Sequence, residues 1–402
     1  MSTAAALRGI GRQLDDPASL GRALDELFAA RTEPPTLLAL GEPTHGIEAF
    51  PLLRNEILGH LVERGYRSIV LEIDFFAASV VDEYVGGATA EIDEVLASGF
   101  SHGFGAVPGN RELIEWLRTH NASRAPQDRI RCYGFDAPVE YSAAPSPRRA
   151  LSSVIDYLPA ALRPESVRDL DTLVGEDTDW TNPAAMYDPA ASIGDSDRAR
   201  ALRILADDLV SALHRAAPDL HAADPTGYAH AVAHARTAQG LLRYHAAMAS
   251  RTPDRIATLL SVRAEMMAEN LLAIVAQEQR RGPCLVFAHN SHLQHTQPRG
   301  EHEASWGNAG ALVGLTLGER YAFLATDANP DSDPATLQGM LSEATDRRAL
   351  FPTSAMRAAL PASIGTGEPI VPGHIPLTPA VLDGADAVIF IADTDGKRHQ
   401  YW

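Results

Sequence analysis

The chain has 402 residues, of which 45% are hydrophobic, so it is long and apolar enough to bury a large core. Its 34 basic and 52 acidic residues give a formal net charge of −18, which disfavours nucleic acid and anionic membranes as partners. The sequence shows neither a cleavable signal nor an apolar run of about 18 residues. We therefore expect a cytoplasmic protein whose two cysteines are reduced and buried.

Six short apolar runs, each followed by helical periodicity, predict strands that alternate with helices. The runs lie at residues 36–41, 68–73, 130–135, 283–288, 321–325 and 387–391. Such alternation is typical of a mostly parallel sheet covered on both faces. The predicted fold class is therefore α/β, with three α/β/α layers.

A long segment without a strand pattern separates the third predicted strand from the fourth. Within it, residues 198–215, 228–250 and 254–280 show helical periodicity. We interpret residues 144–281 as a helical insertion that forms one wall or lid of a cleft. The chain then divides into 1–143, the first part of the α/β core, the insertion, and 282–402, the second part of the core.

Polar residues follow the first four predicted strands, and the carboxyl ends of parallel strands are where α/β proteins bind ligands. The candidates at this edge are Glu42, His45, Glu48, Glu72, Asp74, Asp136, His289, Asn290 and His292. Histidine can act as a base near neutral pH, and a carboxylate can orient it. Arg54 follows the first turn by about two helical turns and could stabilise a negative charge.

Simpler interpretations exist for several of these residues. Glu48 could complement a helix dipole, and a salt bridge with Arg54 could satisfy Glu72 without catalysis. A metal held by residues such as His45 and His289 is an alternative, but there is no HExxH motif or compact ligand cluster. A nucleotide motif is also lacking, so we expect neither a cofactor nor a metal. The GFSHG stretch at residues 99–103 lacks the strand and helix that a serine nucleophile elbow needs.

Over most of its length the sequence resembles the erythromycin esterase family. The blocks that carry the resemblance occur in the family's order and include GEPTHGIEAFPLLRNEILGHL, VLEIDFFAASVVDEYV, CYGFDAP, RAEMMAENL and VFAHNSHL. The resemblance implies hydrolysis of a macrolide lactone or related ester by activated water, without a covalent intermediate. It implies that His45 is the general base, oriented by Glu42, that Arg54 and Glu72 complete the polar cluster, and that His289 polarises or protonates the ester.

The remaining candidates, together with Arg263 from the RAEMMAENL block, are predicted to bind substrate. The chain departs from the family pattern at Ala49 and Ala264, where the family has carboxylates. The expected partner is a small molecule, and the sequence does not predict the oligomeric state. Two alternatives stay open: a dehydratase or cyclase that acts on a polyketide-like intermediate, and a ligand-binding homologue without activity.

Overall fold

The computed structural model describes residues 2–139, 144–297 and 306–396, which form two compact units. The first unit comprises the described residues within Met1–Phe135, Leu271–Pro298 and Asn308–Trp402. The second comprises those within Asp136–Asn270 and Arg299–Gly307. Its main segment therefore starts at Asp136, before the predicted insertion begins at residue 144, and stops at Asn270, before the predicted end of the insertion at residue 281. That the insertion forms a lid stays a prediction.

The described residues contain one eight-stranded sheet, in the order β1-β7-β8-β6-β2-β5-β3-β4. Its strands are β1 Arg12–Gln13, β2 Leu37–Glu42, β3 Ser68–Asp74, β4 Arg131–Asp136, β5 Cys284–His289, β6 Tyr321–Asp327, β7 Arg348–Pro352 and β8 Ala387–Ile391. Strand β2 pairs in parallel with β5 and β6, and β3 with β5. Strand β7 runs antiparallel to β1 and β8. The predicted α/β fold with a mostly parallel sheet is confirmed.

The described residues also contain sixteen α-helices. They are α1 Thr3–Ile10, α2 Pro17–Ala29, α3 Ala49–Glu63, α4 Ala78–Val85, α5 Ile92–Gly99, α6 Asn110–Asn121, α7 Arg148–Tyr157, α8 Leu170–Val174, α9 Asp177–Trp180, α10 Asp197–Ala223, α11 Pro225–Met248, α12 Arg255–Glu278, α13 Asn290–Leu293, α14 Ala309–Leu317, α15 Leu337–Ala344 and α16 Thr353–Ala359. None of them has both the length and the apolar character needed to span a membrane.

Each unit has its own hydrophobic core. In the first unit, apolar side chains of the central strands pack against helices α2 to α6, with Leu38, Leu40, Ile57, Leu71 and Leu117 among the buried residues. Central strands of such a sheet bury both faces, which explains their continuous apolar sequences. In the second unit, leucines and alanines of α7, α10 and α11 form the core. The long insertion is therefore helical, as its periodicity predicts.

The register of the sheet brings three strand ends together at its centre. Glu42, the last residue of β2, pairs with His289, the last residue of β5. On the other side of β5, Leu71 of β3 pairs with Phe287. Glu72, the next residue of β3 after Leu71, therefore lies beside the end of β5. The carboxyl ends of β2, β3 and β5 thus form one edge within the first unit.

Candidate active site

The turn after β2 joins a buried carboxylate to a histidine. The Glu42 side chain is almost fully buried, and its Oε1 lies 2.7 Å from Nδ1 of His45. Burial raises the pKa of Glu42, while the hydrogen bond from His45 and the charge of Arg54 oppose that rise. Because a neutral His45 donates its Nδ1 proton to this carboxylate, the basic electron pair of the ring resides on Nε2. In this pair His45 can therefore act as a base, and the Glu42 carboxylate orients its ring.

His289 is buried, and hydrogen bonds define its tautomer. Its Nδ1 accepts the backbone N–H of Ser291 at 3.2 Å and lies 2.8 Å from the Ser291 hydroxyl. Its Nε2 therefore carries the proton and donates it to the carbonyl oxygen of Pro43 at 3.0 Å. Burial, with a contribution from nearby His45, lowers the pKa of His289 to about 3. A neutral His289 thus holds the backbone between Glu42 and His45.

Glu72 connects β3 to the turn after β5. Its Oε2 accepts the backbone N–H of His289 at 2.8 Å, and its Oε1 lies 3.1 Å from Nε2 of His292. Both contacts reach the His289–His292 turn, so the carboxylate fixes that turn against the end of β3. His292 therefore lies beside Glu72 at this edge of the sheet.

Arg54 of α3 is buried and donates to neutral acceptors. Its Nε and Nη2 donate to Oδ1 of Asn55 at 3.0 and 2.9 Å, Nη2 also donates to the Gly109 carbonyl at 3.0 Å, and Nη1 donates to Oδ1 of Asn110 at 2.7 Å. Its guanidinium also packs over the ring of Phe287, 4.9 Å from the centroid. Burial lowers the pKa of Arg54 to about 10, so it keeps its charge at neutral pH. The salt bridge between Arg54 and Glu72 that the sequence allowed is therefore not among the hydrogen bonds with described residues that hold this arginine.

These polar groups line a small cavity in the first unit. Its volume is about 30 Å³, which is enough for a single water molecule. The polar lining consists of Glu42, His45, Arg54, Glu72 and Asn110, and the apolar lining includes Phe100, Phe104, Val107 and Phe287. The His45 ring lies between two others, with centroids 4.7 Å from Phe104 and 5.6 Å from His289. The cavity thus combines a base, two carboxylates and a cation in largely apolar surroundings.

Two of the predicted substrate-binding residues make structural contacts at the sheet edge. Asn290 is buried, donates from Nδ2 to the Thr326 carbonyl at 2.8 Å and accepts the Thr326 N–H at 3.3 Å. A Cβ at Gly41 would lie only 2.1 Å from Oδ1 of Asn290, which explains the glycine in the first block. Asp74 accepts the N–H groups of Phe76 and Ala77 at 2.8 and 2.7 Å and so stabilises the turn that precedes α4.

Three further candidates lie away from the cavity lining. Glu48 is a half-buried residue at the start of α3 and makes no side-chain capping hydrogen bond. Asp136 and Arg263 pair within the second unit, where the fully buried carboxylate accepts Nε at 2.9 Å and Nη2 at 2.5 Å. This fork-shaped pair satisfies the buried charge of Asp136. A substrate-binding role for these three residues stays a prediction.

Asn55, Phe104 and Asn110 belong to the site although no sequence pattern pointed to them. Asparagine before a helical pattern usually indicates a cap, and the sequence gives no sign that Asn110 meets an arginine from another helix.

Among the described residues, no group of three or more histidine, cysteine or acidic side chains could hold a metal ion.

Comparisons with known proteins identify the family. The model of the family described as erythromycin esterase matches residues 61–359, about three quarters of the chain. A comparison with curated proteins found no match. Three solved structures share the fold at low sequence identity. A Bacillus cereus protein has 16% identity, coverage of 97% of this chain and 96% of its own, and a TM-score of 0.72.

The second is a succinoglycan biosynthesis protein with 16% identity, coverage of 97% and 96%, and a TM-score of 0.65. The third is a mutant erythromycin esterase in its open conformation, with 17% identity, coverage of 94% of each chain, and a TM-score of 0.69. At these identities the structures establish a shared fold. With the family match over most of its length, the chain belongs to the erythromycin esterase family.

Proposed function

We propose that this protein hydrolyses an ester or lactone bond with a water molecule activated by His45, without a covalent intermediate. Membership of the family implies an esterase-like hydrolase. The bond, the substrate and the mechanism are our proposal. The observation that carries it is the Glu42–His45 pair, at 2.7 Å, in the wall of a cavity that can hold one water molecule.

In the proposed reaction, Nε2 of His45 removes a proton from water while the water oxygen attacks the ester carbonyl carbon. The carbonyl oxygen becomes an oxyanion. Collapse of the tetrahedral intermediate breaks the bond to the alkoxide, which receives the proton from the imidazolium of His45. One ester and one water give one acid and one alcohol. Glu42 stabilises the imidazolium and keeps the ring in the required tautomer.

Arg54 is suited to stabilise the negative charge of this reaction. Its contacts with described residues occupy four of its five N–H groups, and the remaining one belongs to Nη1. The charged guanidinium lies in the cavity wall, largely shielded from water, where its effect on a developing oxyanion is stronger than at the surface. We therefore assign Arg54 to oxyanion stabilisation.

His289 and Glu72 fit positioning roles in this mechanism. The hydrogen bond from His289 to Pro43 fixes the turn that carries Glu42 and His45, and Glu72 fixes the backbone of His289. The resemblance implied that His289 polarises or protonates the ester. To do so through Nε2, His289 would have to give up its hydrogen bond to Pro43. We therefore propose that His289 acts mainly by holding the turn.

The apolar part of the cavity wall supports a substrate with a largely apolar acyl group, for which a macrolide lactone is one candidate. A cavity of about 30 Å³ holds the water and not a macrolide ring, so the bulk of such a substrate would lie outside it. Phe104, which packs on the base, would then contact the part of the substrate nearest the reacting carbonyl.

Mass spectrometry of products tests this function. We would incubate the protein with macrolides of different ring size, simple lactones and aryl esters, beside His45→Ala and the control His60→Ala on α3. Hydrolysis adds one water, and we expect His45→Ala to lower the rate by about 10²- to 10⁴-fold while His60→Ala leaves it unchanged. Loss of water would instead indicate a dehydratase, and a closed ring of unchanged mass a cyclase. Full activity of His45→Ala would refute the proposed role of this residue.

A further inference from the structure

Asn110, the first residue of α6, forms hydrogen bonds with two other residues of the cavity wall. It is buried, with 5% of its surface exposed, and it lines the same cavity as His45 and Arg54. The side-chain amide of an asparagine at the start of a helix usually caps that helix. The contacts of this amide instead lead to two residues of the cavity.

The first contact is with Arg54. Oδ1 of Asn110 accepts Nη1 at 2.7 Å, and the carbonyl of the preceding residue, Gly109, accepts Nη2 at 3.0 Å. Gly109 also accepts Nδ2 of Asn55 at 2.8 Å. The start of α6 and Asn55 therefore together hold the guanidinium, and Asn110 supplies the hydrogen bond that fixes Nη1.

The second contact is with the segment that covers His45. Nδ2 of Asn110 donates to the Phe104 carbonyl at 2.8 Å, and the Phe104 ring packs 4.7 Å from the His45 ring. One amide thus bonds, through opposite ends, to the arginine on one side of the cavity and to the aromatic residue against the base on the other. Loss of this amide would loosen both neighbours together.

We propose that Asn110 is a positioning residue for ester hydrolysis, which acts by holding Arg54 and Phe104 in place around His45. This inference rests on the proposed function. It predicts that removal of the amide lowers turnover through Arg54, and that it also changes the electrostatic surroundings of the Glu42–His45 pair. Near Arg54 the charged groups are Glu42 and Glu112, and near Glu42 they are His45, Glu72 and Arg54 itself.

Helix α6 offers a matched control at its other end. Asn121, its last residue, is also buried, donates to the carbonyls of Val85 and Ile130 at 3.1 and 2.9 Å, and accepts the Ile130 N–H at 2.8 Å. Asn121→Ala therefore removes an equivalent set of buried hydrogen bonds without touching the cavity lining. A purely structural role of Asn110 would make the two variants alike.

The test compares Asn110→Ala with Asn121→Ala in kinetics and in an NMR titration of the His45 ring. We expect Asn110→Ala to lower kcat by about 10- to 100-fold with little change in KM, as loss of a hydrogen bond to a charged group does. In an Arg54→Ala background the part of this effect that passes through Arg54 should disappear, and any remaining loss measures the contribution of Phe104. Asn121→Ala should change stability alone. If Asn110→Ala does not fold, Asn110→Ser replaces it.

The titration requires no substrate and separates this inference from the proposed function. The Arg54 charge opposes protonation of the pair, so a displaced Arg54 should raise the pKa of His45 in Asn110→Ala and not in Asn121→Ala. An unchanged titration, or equal kcat in the two variants, would overturn the inference. If the wild type hydrolyses no ester, the proposed function fails, and the titration still decides whether Asn110 holds Arg54 beside the pair.

Discussion

Replacement of His289 by glutamine should make the protein less sensitive to acid. The buried imidazole has a pKa of about 3, compared with an ordinary value of 6.5. Between these values the unfolded chain binds a proton at this residue and the folded chain does not, so stability falls as the pH drops from 6.5 towards 3. From pH 8 to pH 5, linkage gives a loss of about 2 kcal/mol from this residue.

Glutamine removes the titration while its amide N–H can replace the bond from Nε2 to Pro43. Urea unfolding of wild type and His289→Gln at both pH values measures the effect. The free energy of unfolding should fall by about 2 kcal/mol less in the variant. His221→Gln, which removes an exposed imidazole of α10, is the control. Equal losses in wild type and His289→Gln would refute the interpretation of His289 as a buried neutral histidine.

Two further substitutions test the first turn. Gly41→Ala places a Cβ 2.1 Å from Oδ1 of Asn290 and 3.0 Å from Phe323, so the free energy of unfolding in urea should fall by about 1–3 kcal/mol. In the control Gly59→Ala, on α3, the new Cβ meets no atom within 4 Å, and this change should not destabilise the protein. Glu42→Gln keeps the size of the side chain and removes its charge, so kcat on an accepted ester should fall by about 10²-fold or more with the fold intact. Near wild-type turnover would contradict the orienting role of Glu42.

The positions of Glu42, His45, Glu72 and His289 could be predicted because they depend on one rule, that the carboxyl ends of parallel strands meet at one edge. Apolar runs marked the strands, and the polar residue at each end followed directly. Strands β1 and β7, which lie together at one end of the sheet, were missed because β1 has two polar residues and β7 is a short strand that ends in proline. Neither shows the pattern of a buried central strand.

The environment of Arg54 could not be predicted, because its acceptors come from Gly109 and Asn110, more than 50 positions along the chain. The fork between Asp136 and Arg263 has the same origin, with 127 positions between its members. Such contacts depend on how helices pack, and local sequence patterns do not encode that packing. The role of Asn290 could not be predicted either, since an asparagine can bind a substrate or form hydrogen bonds with a neighbouring backbone, here that of Thr326.

The most direct test of the central claim is a single turnover of an accepted ester or lactone in water enriched in heavy oxygen, with enzyme in excess. If water activated by His45 attacks the carbonyl carbon, the acid product carries one heavy oxygen atom after the first turnover, and His45→Ala forms little of it. An acid product with only light oxygen would mean that water did not attack the acyl carbon, as when an enzyme carboxylate attacks first or the alkoxy carbon–oxygen bond breaks. That result, or labelling at an undiminished rate in His45→Ala, would contradict the account.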